Sequence, residues 1–258
     1  MNLLFTICAR AGSKGVKNKN IRSFLDSPLS YYTLSAYKLF CEQYGNNYDS
    51  ISLALNTDSD ELHEQIKRTD IEFVYIKRKE TLAGDIVSKI EVIKDTVKEV
   101  ATINNLSVDL IIDLDLTSPL RTAADIAGTI DTLMSNEFAD VSFSVTGARR
   151  LPFFNMVMCQ EDGSYGLVIK SDYVSRQQAP QCFDMNASIY VYKYDFITSE
   201  ETKKVFDGKA VAHKMIDTAI LDIDSEEDME LMEVLARYFF DKYADYGLVG
   251  KTAKTFQY

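Results

Sequence analysis

Histidine is almost absent from this chain: His63 and His213 are the only two in 258 residues. The four cysteines, Cys8, Cys41, Cys159 and Cys182, are scattered without a Cys-x-x-Cys pair. The spacing of a structural zinc site is therefore missing, and free thiols in a reducing compartment are the simplest reading. Basic charge is also short. Lys plus Arg number 28 against 39 Asp plus Glu, a net charge of -11, which argues against nucleic acid or an anionic membrane as the main partner. A phosphate-bearing ligand must then be held by local positive charge. Long apolar runs are missing too: Met1 to Cys8 has no basic lead-in and Arg10 follows at once. Neither a signal peptide nor a membrane span is expected, and a cytoplasmic location is. No stretch rich in Pro, Gly and Ser divides the chain, so residues 1–258 are expected to form one domain.

What is present suits a packed protein: 46% of positions are hydrophobic and 26% charged, which excludes disorder, collagen and coiled coil. Residues 3 to 8 (Leu-Leu-Phe-Thr-Ile-Cys) form a short apolar run like a buried parallel strand. Helical periodicity follows at about 29–41, then a strand near 50–55, a helix near 59–68, a strand at 71–76, a helix at 88–103 and a strand at 109–114. Thr122 with Asp125 three residues on marks a helix at 123–135, and a strand at 140–145 follows. This alternation predicts an α/β fold, a doubly wound and mostly parallel sheet, with ligands beyond the carboxyl ends of its strands. At about 147–185 the pattern changes. Phe153 to Cys159 and Tyr165 to Lys170 flank Glu161-Asp162-Gly163-Ser164, the signature of a β-hairpin and so of an inserted arm. The chain returns through a strand at 187–192, and His213 falls in a further strand pattern. A helix over 226–243 ends the reading.

The first strand runs into a loop, Ala9 to Arg22, with two glycines, three lysines and two arginines in fourteen residues. Glycines let backbone N–H groups approach a polyphosphate, and the cations neutralise its charge. Neither Gly-x-x-x-x-Gly-Lys-Ser/Thr nor Gly-x-Gly-x-x-Gly occurs, so kinase, ATPase and dinucleotide readings lose their main support. Asp222 and Asp224 lie two apart, so on an extended segment both carboxylates project to the same side. Two hard oxygen donors on one side of a segment suit a divalent cation such as Mg²⁺. The plain alternative is helix capping, since Ser225 and Asp228 make a capping box there. His63 and His213 read as structural.

The loop resembles the N-terminal signature of the cytidylyltransferases that activate nonulosonic acids, the CMP-sialic acid synthetase family. Three further segments match it in order: Asp113 to Arg121, then Arg176-Gln177-Gln178-Ala179-Pro180 with Asn186 to Tyr190, then Asp222 to Asp228. The resemblance implies that Arg10, Ala11, Gly12, Ser13, Lys19 and Asn20 hold CTP, with Arg10 and Lys19 on the phosphates. It places Arg78, Asp85 and Ser88 near the nucleoside, Asp222 and Asp224 on Mg²⁺, and the catalytic work on Arg10, Lys19, Asp222 and Asp224. It assigns the sugar acid to Asp115, Thr117, Ser118, Arg121, Arg176, Gln177, Gln178 and Asn186.

The chain departs from the sialate pattern where Asp115 stands for a glutamine, Leu116 for a proline and Ala187 for a glycine. The first change removes two donors and adds a charge. These features look more like the branch acting on legionaminic-type sugars, with N-acetylneuraminate as the second candidate. The implied reaction joins CMP from CTP to the anomeric hydroxyl and releases pyrophosphate. A Kdo cytidylyltransferase-like or hexose-phosphate enzyme, and a non-catalytic sugar-nucleotide-binding protein on the same fold, stand as alternatives. The arm is expected to expose Leu151, Phe153, Phe154 and Val157, which a small hairpin cannot bury alone. A homodimer follows, and the resemblance implies active sites shared across its interface.

Overall fold

The structure, a computed structural model, describes residues 1–12, 15–84, 86–104, 107–217 and 222–256. The first half of the chain alternates strand and helix. β1 (Asn2–Ala9) is followed by a two-rung hairpin of β2 (Ser23–Phe24) and β3 (Ser27–Pro28), then by α1 (Leu29–Tyr44) and β4 (Ser50–Thr57). Next come α2 (Asp60–Lys67), β5 (Val74–Lys77), α3 (Lys89–Asn104), β6 (Leu110–Leu114), α4 (Ala123–Met134) and β7 (Val141–Gly147). The arm strands β8 (Val157–Cys159) and β9 (Tyr165–Leu167) precede β10 (Phe183–Lys193). The chain continues through α5 (Tyr194–Thr198), β11 (Ala210–Lys214), α6 (Glu226–Lys242) and α7 (Ala244–Ala253).

Seven strands make one sheet in the order β11-β7-β10-β6-β1-β4-β5. β1 pairs parallel with β4 and β6 on its two sides, β5 continues parallel on β4, and β11 lies parallel to β7. β10 runs antiparallel between β6 and β7, so the sheet is mostly parallel, as expected. Alternation along β1 explains its apolar run. Leu3, Phe5 and Ile7 face a core built with α1, α2, α4, α6 and α7, while Leu4 faces Ile93, Val97 and Val100 of α3. Both faces are covered, so nearly every side chain of the strand is buried.

Local signals account for the helix starts. The Thr122–Asp125 and Ser225–Asp228 capping boxes both form, with Thr122 accepting from the Asp125 N–H and Ser225 from the Asp228 N–H. Sequence periodicity missed α7, because Gly247 and Gly250 weaken the pattern. Both glycines serve packing: an added Cβ would stand 2.6 Å from the Phe240 carbonyl oxygen at Gly247 and 2.9 Å from the Phe240 ring at Gly250. β5 begins at Val74, three residues later than the pattern suggested. Among the described residues no helix is long and apolar enough to cross a membrane.

The hairpin forms as a separate two-stranded sheet, with Gly163 at φ +79 in its loop. Gly163 N–H donates to the Gln160 carbonyl and Gln160 N–H to the Ser164 carbonyl, a three-residue loop closed by a left-handed glycine. One expectation needs correction. Leu151 is only 4% exposed, and Phe153 and Phe154 are half-buried. The Leu151 carbonyl collects the N–H groups of Phe154, Asn155 and Met156, so this segment folds onto itself as the anchor of the arm. The exposed apolar side chains lie further out: Val157, Tyr165 and Val174.

Candidate active site

The loop after β1 curls over the carboxyl ends of β1 and β6. Gly12 takes φ +73, a conformation that side-chain-bearing residues disfavour. The Ala11 N–H donates to Asp58 Oδ1 at 2.7 Å, and Asn20 Nδ2 closes the loop on the Arg10 carbonyl at 3.2 Å. Gly15 lies so near the 222–224 segment that a Cβ there would stand 1.8 Å from the Asp224 carbonyl oxygen. Lys19 Nζ donates to the Ile223 carbonyl and sits 3.4 Å from Asp224 Oδ1. Arg22 grips both oxygens of Glu226 at 2.6 Å, tying the loop to the first turn of α6. Two stretches two hundred residues apart thus form one wall. Ser13 lies outside the described residues.

The resulting cleft, about 360 Å³, is lined by Cys8, Ala9, Arg10, Gly15, Lys19, Asn20, Asp115, Leu116, Thr117, Asp222 and Asp224. A small extension of about 50 Å³ runs past Ala11 and Gly12 toward Ser59. Asp224 is 79% exposed, and Ser225 with Asp228 caps α6, so the Asp224 carboxylate is left to Lys19. Asp222 is half-buried and accepts from the Ile223 N–H at 2.9 Å. Burial raises its carboxyl above the ordinary range and nearby Asp115 adds to this, while Thr117 and Lys19 pull the other way.

The floor holds a residue that sequence reasoning missed. Lys89, opening α3, places its ammonium 2.7 Å from Asp113 Oδ2 and 2.8 Å from Asp115 Oδ2. Asp113 is fully buried and also accepts from Thr6 Oγ1 at 2.9 Å. Asp115 Oδ1 accepts from the Thr117 N–H at 3.0 Å and from Thr117 Oγ1 at 2.7 Å. Burial alone would raise the Asp115 carboxyl, but Lys89 and Thr117 outweigh it and hold it well below the ordinary range. The readable signal was a lysine in the first turn of a helix, where the helix dipole disfavours a cation.

Other sequence candidates stand behind the cleft. Arg121 is buried; its Nη2 donates to the Asp115 carbonyl and to Thr33 Oγ1, both at 2.7 Å, and its Nη1 to the Ser188 carbonyl. Burial lowers its guanidinium to about 10. Ser118 is buried next to it in sequence. Asn186 lies in the core, accepting from Ser144 Oγ at 2.6 Å. Arg78 is 7% exposed and donates to the Asn56 side chain and carbonyl at 3.0 and 3.2 Å. The neighbouring Cys8 thiol is pushed up to about 12 by burial and then by Asp113, which makes it a poor nucleophile. Ser88 donates to the Lys203 carbonyl at the start of α3, and Asp85 lies outside the described residues.

Arg176 and Gln177 belong to a second groove, about 900 Å³, at the base of the arm with Arg149, Arg150 and Lys214. There Arg176 Nη2 donates to the Ala148 carbonyl at 2.7 Å. Gln178 spends its side-chain oxygen on the Val174 and Ser175 N–H groups.

Comparison with known proteins agrees with this geometry. The chain matches the family model described as cytidylyltransferase over residues 4–238. It is 36% identical to post-translational flagellin modification protein B of Campylobacter coli, over 91% of this chain and 95% of that protein. It is also 36% identical to the CMP-N,N'-diacetyllegionaminic acid synthase of Campylobacter jejuni, over 90% of this chain and 94% of that protein. Its fold resembles that of a CMP:2-keto-3-deoxy-manno-octonic acid synthetase solved with CTP, at a TM-score of 0.62 and 12% identity, covering 92% of this chain and 99% of the other. At that identity the likeness is one of fold. A basic glycine loop and an acidic pair meeting at strand ends, in a chain matched over nearly its whole length, have one reading: the protein belongs to the cytidylyltransferase family, CTP-dependent nucleotidyltransferases.

Proposed function

We propose that this cytidylyltransferase transfers CMP from CTP to the anomeric hydroxyl of a nonulosonic acid, with a legionaminic-type sugar preferred, and releases pyrophosphate. The observation that carries the reading is the meeting of Arg10 and Lys19 with Asp222 and Asp224 in one cleft beyond β1 and β6. The preference for a legionaminic-type sugar draws on the legionaminate-acting relative and on Asp115. N-acetylneuraminate is the runner-up.

In the proposed reaction Arg10, Lys19 and the loop N–H groups take the triphosphate and neutralise its charge. The sugar hydroxyl then attacks the α-phosphorus in line, and the protein acts by positioning and charge neutralisation. Histidine is not required. Asp222 and Asp224 fit a divalent cation: both are hard oxygen donors lining one cleft, and Asp115 and Asp224 add to the burial that raises the Asp222 carboxyl, a load that a cation would relieve. They would hold Mg²⁺, which when bound stabilises charge on the leaving pyrophosphate. Asp115, Thr117 and the arm residues Arg176 and Gln177 are assigned to the sugar acid. Because Arg176 and Gln177 stand in their own groove, the arm is proposed to serve the site of a second subunit in a homodimer. A cytoplasmic location is part of this proposal.

The test is pyrophosphate release with CTP across a panel of 5,7-diacylamido nonulosonates, N-acetylneuraminate and Kdo, with UTP as the nucleotide control. A higher kcat/KM for the 5,7-diacylamido sugar, and at least about a hundredfold preference for CTP over UTP, is expected. Equal turnover with UTP, or a clear preference for N-acetylneuraminate or Kdo, would overturn the corresponding assignment.

A further inference from the structure

Asp115 is held from every side. Its carbonyl accepts from Thr33 at 3.1 Å and from Arg121 at 2.7 Å, and its N–H donates to the Ser188 carbonyl at 3.3 Å. Three of the four lone-pair directions of its carboxylate are filled, two by Thr117 and one by Lys89. Lys89 divides its ammonium between this acid and fully buried Asp113. Burial would weaken the charge on Lys89, but Asp113 and then Asp115 outweigh it and hold the group protonated. The result is a rigid acceptor on the cleft floor with its countercharge behind it.

Such a group repels phosphate and accepts from a neutral N–H or O–H donor. The hydroxyls and acylamino N–H groups of a nonulosonic acid are such donors, and the cytosine amino group is the competing one. We propose that Lys89 is a positioning residue acting through Asp115: it fixes that carboxylate as the acceptor for a donor group of the sugar acid, and thereby sets affinity for the sugar and not for the nucleotide. This rests on the activity proposed above. The physical reason is preorganisation: an acceptor held within a fraction of an ångström loses no ordering entropy when the donor arrives.

The test is steady-state kinetics of the full chain, reading KM for the sugar acid and for CTP separately, with thermal melting as the check on folding. Asp115→Asn leaves the Lys89–Asp113 pair in place and is expected to raise KM for the sugar about tenfold or more, with KM for CTP within about twofold. Lys89→Met should do the same. The double variant should be no worse than about twofold beyond Asp115→Asn, because both changes remove one interaction. Lys89→Arg, which retains a cation, should restore most of the sugar affinity. If Lys89→Met fails to fold, Asp115→Asn and Lys89→Arg decide alone. Unchanged sugar KM in Asp115→Asn, an equal rise in KM for CTP, or additive losses in the double variant would overturn the role of Lys89 while leaving the activity standing. A wild-type protein that turns over no nonulosonic acid would overturn both.

Discussion

The parallel half of the sheet and the arm are built from similar apolar residues and use them in opposite ways. In β1 and β6 every turn of the pleat is covered by helices, so Phe5, Ile111 and Ile112 are fully buried. In the arm, three-residue strands carry Val157 at 57% and Tyr165 at 73% exposure, with Leu151 as the buried anchor. A two-stranded ribbon has no second layer to bury its faces. The site residues divide along the same line. Arg10, Lys19 and Asp115 from the parallel half share one cleft with Asp222 and Asp224 from the segment before α6, whereas Arg176 and Gln177 on the arm stand in another. One region buries its apolar side chains within its own chain; the other leaves apolar surface and cations exposed, the surface on which the proposed dimer rests.

The sharpest way to break that comparison is at Asp224. Asp224→Ala is expected to lower turnover by roughly 10²–10³-fold with an unchanged melting curve, since the side chain is exposed and α6 is capped by its neighbours. Near-normal turnover at saturating Mg²⁺ would return the acidic pair to a capping role. Next in size is stability. Ile112→Ala in β6 should cost about 2–5 kcal/mol by denaturant titration, whereas Val157→Ser in the arm should stay within about 0.5 kcal/mol for the fold and weaken self-association by sedimentation. An equal cost at both positions would mean that the arm is packed on its own chain.

Complementation sharpens the division further. Inactive Arg176→Ala protein mixed with inactive Lys19→Ala protein under subunit exchange should recover about a quarter of wild-type activity, because half the dimers are mixed and each holds one intact site. Mixed dimers that form and stay inactive would sink the shared-site reading. The smallest effect lies where β10 turns into the sheet. Ala187 sits at φ +50, in the irregular stretch between Met185 and Tyr190. Ala187→Gly should therefore stabilise the protein by about 0.5–1 kcal/mol in the same titration, and a loss of stability would show that the methyl group is packed.

Much of this molecule was legible in its one-dimensional pattern, because strands and helices of a doubly wound sheet repeat with periods that do not depend on partners. The runs at 3–8, 50–55 and 109–114, the Thr122 and Ser225 caps and the Asp162-Gly163 turn needed only local rules. So did the chemistry of the Ala9–Arg22 loop, whose cations and glycines are contiguous. The roles of Arg121, Asn186 and Lys89 were not legible, since the same residue types serve a ligand or a fold equally well. Arg121 reads as a substrate cation in sequence, yet the fold spends it on the carbonyls of Asp115 and Ser188. Lys89 drew no reading from the sequence, yet α3 delivers it between two acids at the end of β6. Sequence alone determined the layers and the basic, glycine-containing make-up of the first loop, because those follow from periodicity and local composition. Tertiary structure decided which charges neutralise each other and which face the cleft, because a buried ion pair depends on where distant elements bring their ends together.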